Sequence, residues 1–363
     1  MSTNHRRVVT IVLAAAALLI LPLIGQQFGN AWVRIADVAL LYVLLALGLN
    51  IVVGYAGLLD LGYVAFYAVG AYACGLLASP HLWETFPAVQ TLFAAGMHAP
   101  VWVVIPLGAA VAATFGVLLG APTLKLRGDY LAIVTLGFGE IVRVFLNNLD
   151  APVNVTNGPK GISQIDSIKI FGLDLGQTLN LGFVSLPSVS LYYYLLLVLV
   201  AGSVLISHRL EHSRTGRAWM AIREDEVAAK AMGINTRNLK LLAFAMGATF
   251  GGVSGVMFAS FQGFISPESF NLHESIMLVA MVVLGGSGHI PGVILGAVLL
   301  AALPEVLRYV AGPLQALTGG RLDAAILRQL LIASAMIGIM LLRPRGLWPS
   351  PEHGRANAVP AGQ

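Results

Sequence analysis

Residues 38 to 55 read VALLYVLLALGLNIVVGY, eighteen positions without one Asp, Glu, Lys or Arg. A helix needs about 20 predominantly apolar residues to cross a hydrocarbon core of ~30 Å, because each residue rises ~1.5 Å. This run meets that demand, and it is not alone. Comparable stretches lie at 8–25, 59–79, 100–121, 131–149, 190–207, 241–264, 274–287, 291–309 and 325–342. The run at 274–287 is short and ends in Gly285-Gly286-Ser287-Gly288, which leaves open whether it crosses the layer or dips in and returns.

The composition agrees with a lipid solvent. Of 363 residues, 57% are hydrophobic and only 10% charged, and the mean hydropathy is +0.82. Soluble domains carry about 25% charged residues, so this chain lacks the polar surface needed to cover a soluble core. The fold class is therefore an all-α integral membrane protein with about ten transmembrane helices, some interrupted or re-entrant. Residues 1–348 read as one polytopic domain, and the Pro-, Gly- and Ala-rich tail at 349–363 is expected to be disordered. The run at 8–25 is too long for a typical signal-peptide core, and Gly25-Gln26-Gln27 is a poor cleavage site, so it reads as an anchor.

Orientation follows from where the cations fall. With the N-terminus inside, 14 of the 21 Lys and Arg lie in cytoplasmic segments, 6 at the outer side and Arg143 within a span. This excess places both termini in the cytoplasm by the positive-inside rule. Two extramembrane segments result: an outer loop at 150–189 and a cytoplasmic stretch at 208–240. The loop carries the turn signal Asn157-Gly158-Pro159-Lys160-Gly161.

The cytoplasmic stretch runs from Ser213 to Gly233 with good helix formers and no proline, and is expected to form a single helix over 216–232 that Gly233 ends. Ala228, Ala229, Ala231 and Met232 offer a small-residue surface that a second protein can approach closely. Arg223, Glu224, Asp225, Glu226 and Lys230 flank it with charge. The plainer reading is a solvated linker, yet the spacing of alanines and glycine is more ordered than a linker needs. The chain has no GxxxxGK[ST] phosphate loop, and Gly286-x-Gly288-x-x-Pro291 follows no soluble strand, so neither motif binds a nucleotide here.

At Glu226-x-Ala228-Ala229-x3-Gly233 the sequence resembles the coupling motif of ABC-importer permeases, with the glutamate one place earlier than the common form. Three further stretches resemble the LivM-type permeases of branched-chain amino-acid importers: Gly57 to Tyr72, Leu126 to Arg143, and Ser266-Pro-Glu-Ser-Phe270 running on to Gly286. The resemblance covers about 38–350. It implies a non-catalytic permease subunit in a bacterial inner membrane, importing leucine, isoleucine and valine by ATP-driven alternating access. It further implies a LivH-like second permease, two ATP-binding cassette subunits and a periplasmic binding protein, with ATP bound by the partners, no cofactor in this chain and no nucleic acid. Arg223, Glu224, Asp225, Glu226, Ala228, Ala229 and Gly233 would then couple to the ATPase, and Asn157, Gly158, Pro159 and Gly161 would meet the binding protein. A urea or short-chain amide permease of the same family would look nearly identical, and an ion-coupled secondary transporter is a more distant alternative that would not need the 213–233 helix.

Polar residues inside the layer are costly, about 2.5–3.5 kcal/mol for a lone charge at the centre, and therefore informative. Glu140 lies about 14 Å into the fifth run, and Arg143 is one helical turn on, on the same face. The pair fits a polar solute path and equally a buried pair that fixes packing. Asp60 and Tyr63 are further path candidates, although Asp60 stands where the family pattern has a small or apolar residue and equally suits the first turn of a helix. Glu305 and Arg308 repeat the Glu-x-x-Arg spacing and read as structural. The glycines at 54, 57, 62, 70, 137, 139, 247, 251, 252, 255, 285, 286 and 288 suit close helix contacts or interrupted helices. The single cysteine, Cys74, lies in an apolar run. His208 and His212 share a helical spacing without an HExxH context and read as ordinary polar residues, so no metal site is expected.

Overall fold

The computed structural model describes residues 16–92, 97–124, 126, 128–170, 172–180 and 185–317, and 326–348 only in part. The first half of the expected span at 8–25, most of the one at 325–342 and the tail at 349–363 lie outside the described residues, as does the side chain of Arg308.

Helices dominate. They are α1 (Ala16–Gln27), α2 (Asn30–Asn50, continued by a π turn at Ile51–Tyr55), α3 (Val64–Leu77), α4 (His81–Thr85), α5 (Pro87–Leu92), α6 (Val101–Thr123) and α7 (Asp129–Asn148). After the outer loop come α8 (Ser188–Glu211), α9 (Arg214–Glu224), α10 (Glu226–Ala231), α11 (Thr236–Gln262), α12 (Leu272–Gly285) and α13 (Ile290–Leu317). Among the described residues, five helical stretches are long and apolar enough to cross a membrane: Asn30–Tyr55, Val101–Thr123, Ser188–Glu211, Thr236–Gln262 and Ile290–Leu307. The chain is thus a multi-pass helical membrane protein.

Burial separates centre from rim. The most apolar windows of α2 and α11 are 72% and 61% buried, whereas those of α6, α8 and α13 are only 28–33% buried. A helix that is apolar all round and enclosed belongs to the core, and one with an open apolar face meets lipid or another subunit. Helix α11 packs against α6, α3 and α2, and α2 packs in turn against α13, α8 and α12.

Glycines make this central packing possible. A Cβ on Gly255 of α11 would fall 2.2 Å from the Tyr67 carbonyl oxygen of α3, and one on Gly70 would fall 2.2 Å from the Gly252 oxygen. On the other side, a Cβ on Gly252 would sit 2.6 Å from the Gly108 oxygen of α6. Lipid gives little hydrophobic drive for helices to associate, so close backbone contact supplies the attraction.

Two helices are interrupted. After the π turn, residues 56–62 are not helical, with Gly57 at φ +68°, and α3 begins only at Val64. The run expected at 59–79 is shortened for that reason. The second break follows α12, where Gly286 (φ +117°) and Gly288 (φ +84°) adopt backbone that L side chains rarely take. Helix α12 has 14 residues, about 21 Å at the helical rise, which is shorter than the hydrocarbon core. Its first-turn Glu274 meets Tyr42 inside α2, Tyr42 donating its hydroxyl hydrogen at 2.7 Å. The start of α12 therefore lies beside the middle of α2.

The 150–189 loop between α7 and α8, expected on the outer side, contains short strands that the all-α reading did not anticipate. Strand β1 (Ile162–Ser163) pairs antiparallel with β6 (Phe264–Ile265), β2 (Lys169–Ile170) with β3 (Leu173–Asp174), and β4 (Leu179–Asn180) with β5 (Ser185–Leu186). Ile162, Ile165, Ile168 and Leu175 bury their side chains, and Tyr192 of α8 donates to the Ser260 oxygen at 3.0 Å while accepting from the Ile168 N–H at 3.2 Å. The loop is folded down onto the helix ends.

Candidate functional site

The 213–233 segment is two helices, not the single one expected. Ser213 caps α9 by accepting from the Gly216 N–H at 3.0 Å. Asp225 then leaves helical geometry (φ −155°, ψ 109°) and accepts from the N–H groups of Val227 at 2.7 Å and Ala228 at 3.1 Å, so it starts α10. Aspartate satisfies free N–H groups at a helix start better than it serves a helix interior, and this preference breaks the run. Gly233, at φ +82°, ends α10 as the sequence indicated.

Each residue of α10 has a definite side. Ala229, expected on the docking surface, is buried against the start of α11 at 4% exposure. The outward face consists of Val227, Ala228, Ala231 and Met232, with Val227 and Met232 64% and 83% exposed. Glu224 and Asp225 are exposed as well.

Glu226 turns inward. Its carboxylate meets Lys240 of α11 at 2.8 Å and Lys230 at 3.1 Å, and accepts from the Thr236 hydroxyl at 3.3 Å. Lys240 is buried. Burial opposes ionisation of Glu226 most strongly, but its hydrogen bonds to Lys240 and Lys230, with their charges, hold the carboxyl down at about 2. Trp219 of α9, fully buried, donates its indole N–H to the Leu239 oxygen at 2.7 Å. Both short helices are thereby fixed to α11, the central helix.

Arg223 extends the contact to both interruptions. Its Nη1 donates to the Gly54 carbonyl in the π turn at 2.5 Å. Its stem lies so close to Gly57 that a Cβ there would be 2.7 Å from Cγ, and a Cβ on Gly288 would be 3.0 Å from Nη1. The two breaks also touch directly, since the Gly288 N–H donates to Asn50 Oδ1 at 2.8 Å. One arginine thus joins a surface helix to the two places where spans lose their helical hydrogen bonds.

On α7, Glu140 and Arg143 pair as their spacing indicated, with Nε and Nη2 each 3.0 Å from Glu140 Oε2. Sequence reasoning missed the third member, Glu268, whose Oε1 lies 3.4 Å from Arg143 Nη1. Its only signal was its place in the Ser266–Phe270 motif. The side chains of Arg143, Glu140 and Glu268 are 27%, 32% and 67% exposed, beside the open apolar positions Ile141 and Val144 of α7. The cluster lies on the surface of this chain.

Asp60 and Tyr63 are enclosed instead. Asp60 Oδ1 accepts from the Gly62 N–H at 2.9 Å, the Leu61 N–H donates to Thr135 Oγ1 at 3.0 Å, and Tyr63 donates to the Gly247 oxygen at 2.8 Å. They pin the chain entering α3 between α7 and α11; Asp60 lies in the non-helical stretch before Val64, not in the first turn of a helix. Asp37 was overlooked because it ends the apolar run. Helix α2 begins earlier, at Asn30, and buries Asp37 with no hydrogen-bond partner on either oxygen among the described residues.

In the outer loop, Asn157 takes the left-handed conformation at φ +60°, and its side-chain amide donates to the Gly161 oxygen at 2.8 Å. Gly158 and Gly161 are buried, and a Cβ on Gly161 would fall 2.2 Å from the Ile265 oxygen. Of the four docking candidates only Pro159 is exposed.

Residues 31–342 match the family described as the permease component of the branched-chain amino-acid transport system. The chain is 42% identical over 329 residues to the high-affinity branched-chain amino-acid transport system permease protein LivM of Escherichia coli, covering 87% of this chain and 70% of that protein. The LivM protein of Salmonella typhimurium matches to the same extent. The permease LivH of E. coli is 24% identical over 311 residues, 86% of this chain and 92% of that protein. No solved structure matches the chain.

Proposed function

The chain belongs to the branched-chain amino-acid transport permease family, with LivM proteins among its relatives, and we propose that it forms one half of an ATP-driven importer for leucine, isoleucine and valine. About ten helices cross a bacterial inner membrane with both termini in the cytoplasm. A LivH-like permease completes the pore, two ATP-binding cassette subunits dock beneath it, and a periplasmic binding protein delivers solute to the outer loop around Pro159. ATP is bound by the partners, and this chain performs no covalent chemistry on the solute.

The observation that carries this reading is the clamp of α9 and α10. Met232, Val227, Ala228 and Ala231 form an open, mostly apolar face with charged neighbours, the composition of a docking helix. Behind it, Glu226–Lys240 and Trp219–Leu239 fix the segment to α11, and Arg223 reaches both helix interruptions. A push on the exposed face moves the central helix and the two joints together. Interrupted helices change shape more readily than continuous ones, which suits alternating access. The Glu140–Arg143–Glu268 cluster supplies an exposed acid–base–acid strip at a depth where a zwitterion needs counter-charges.

The test is ATP-dependent leucine uptake into proteoliposomes holding this chain, its second permease, both ATPase subunits and the binding protein. Uptake that depends on all of these supports the reading. Uptake by the chain alone, or uptake of urea in place of leucine, contradicts it.

A further inference from the structure

Away from the coupling clamp and the Glu140–Arg143–Glu268 strip, one cluster among the described residues has metal-ligating chemistry. His208 and Glu211 in the last turn of α8 and His212, which caps it, stand at i, i+3 and i+4, and a ligand atom from each lies within 4.8 Å of the others. The two imidazole rings have their centroids 4.5 Å apart, and His208 Nδ1 lies 4.0 Å from Glu211 Oε2.

We infer that this turn binds a divalent transition cation such as Zn2+, Ni2+ or Cu2+, and that the bound ion restrains the joint between α8 and α9.

The chemistry selects the ion class. Two imidazoles and one carboxylate suit first-row transition metals, whereas Mg2+ and Ca2+ prefer oxygen alone. Nδ1 of His212 lies 3.0 Å from the His208 carbonyl oxygen. That contact fixes Nδ1 as the protonated nitrogen and leaves the lone pair of Nε2 outward, the orientation a ligating histidine takes from its supporting hydrogen bond. Both histidines are exposed to solvent. Closing from 4.8 Å to the ~3.3 Å between ligands sharing a tetrahedral zinc with ~2.0 Å bonds takes only rotamer changes. Water fills the remaining position.

The position supplies the consequence. A helix C-terminus carries partial negative charge that favours a cation, although Arg209, Arg214 and Arg217 stand close in sequence and weaken binding. Arg217 Nη1 donates to the His212 carbonyl at 2.8 Å, and a Cβ on Gly216 would fall 2.1 Å from the Leu210 oxygen. The first turn of α9 therefore rests directly on the ligating turn. Ordering His212 by metal stiffens the joint through which the coupling segment moves, a step that rests on the transport reading above.

Zn2+ binding to the full chain, purified in detergent without a histidine tag, tests the site. About one equivalent is expected, and the double variant His208→Gln with His212→Gln loses about tenfold or more in affinity, the scale seen when ligands or their supports are removed. Glu211→Gln loses less. Both histidines are exposed, so thermal unfolding without metal stays at the wild-type temperature, and either single substitution serves if the double one does not fold. No stoichiometric binding, or equal affinity in the variants, overturns the site. In the assembled importer Zn2+ slows uptake by wild type and spares the double variant; equal effects on both overturn the restraint. Absence of any ATP-driven uptake before metal is added counts against the transport reading alone, because the binding arm does not use it.

Discussion

Replacing Glu226 by glutamine removes one charge from a triad and leaves two lysines facing each other across it. Lys240 is 5% exposed and loses its 2.8 Å partner. Removing one member of a buried ion pair costs about 3–5 kcal/mol, because the survivor stays desolvated without compensation. The Glu226 side chain is 17% exposed, so water screens part of the interaction and about 3 kcal/mol is the expected loss. That is a large share of the ~5–15 kcal/mol that holds a typical domain together. Thermal unfolding of the purified chain in detergent measures it. The double substitution Glu226→Gln with Lys240→Met should recover most of the loss, since two neutral partners need no compensation. The pH dependence carries a second signature. Glu226 moves from an ordinary 4.5 down to about 2 in the folded protein. Its contribution is therefore complete above pH ~4.5 and disappears as pH falls from there through about 2. The glutamine variant should lack that acid-dependent component. Refutation would be an unfolding temperature that Glu226→Gln leaves unchanged, or a double variant that is no more stable than the single one.

Other substitutions follow from the same geometry. Arg223→Lys keeps the charge but cannot reproduce the forked guanidinium that reaches Gly54, so ATP-driven uptake should fall about tenfold, a loss near 1.4 kcal/mol, while co-purification with the ATPase persists. Asp225→Ala removes the cap of α10, at about 1 kcal/mol, and favours one continuous helix; uptake per ATP hydrolysed should drop because the Met232 face is redirected. Gly255→Leu drives a side chain into the Tyr67 backbone 2.2 Å away, a strain of at least ~1–3 kcal/mol. Folded protein recovered from membranes should decline sharply, whereas Gly202→Leu, where a Cβ meets nothing within 4 Å, should be tolerated.

Much of the fold was legible because lipid imposes a length rule that apolar runs obey directly. The bounds of α6 and α8 were read within a few residues and those of α11 within about five, whereas α2 begins at Asn30 instead of 38 and α13 runs on to Leu317 instead of 309. The errors lie where polar residues are buried or capping decides the backbone. Asp37 looked like a boundary and is inside α2, since tertiary enclosure overrode its polarity. Asp225 looked like part of a helix and starts one. The helical period placed Arg143 beside Glu140, but Glu268 lies 125 positions away in the chain, and no local pattern links them. Ala229 and Ala228 are adjacent and chemically identical, so only the packing of α10 on α11 tells the buried one from the open one.

The central claim, that force from the ATPase enters through the face around Met232, is most directly tested by labelling. The chain has one native cysteine, Cys74, which is buried, so Cys74→Ser gives a background in which Met232→Cys is the sole thiol. In the isolated chain a bulky maleimide should modify this position rapidly; in the assembled importer it should be protected, and label attached before assembly should abolish ATP-driven uptake. Equal labelling in both states, with uptake undiminished after modification, would contradict the account.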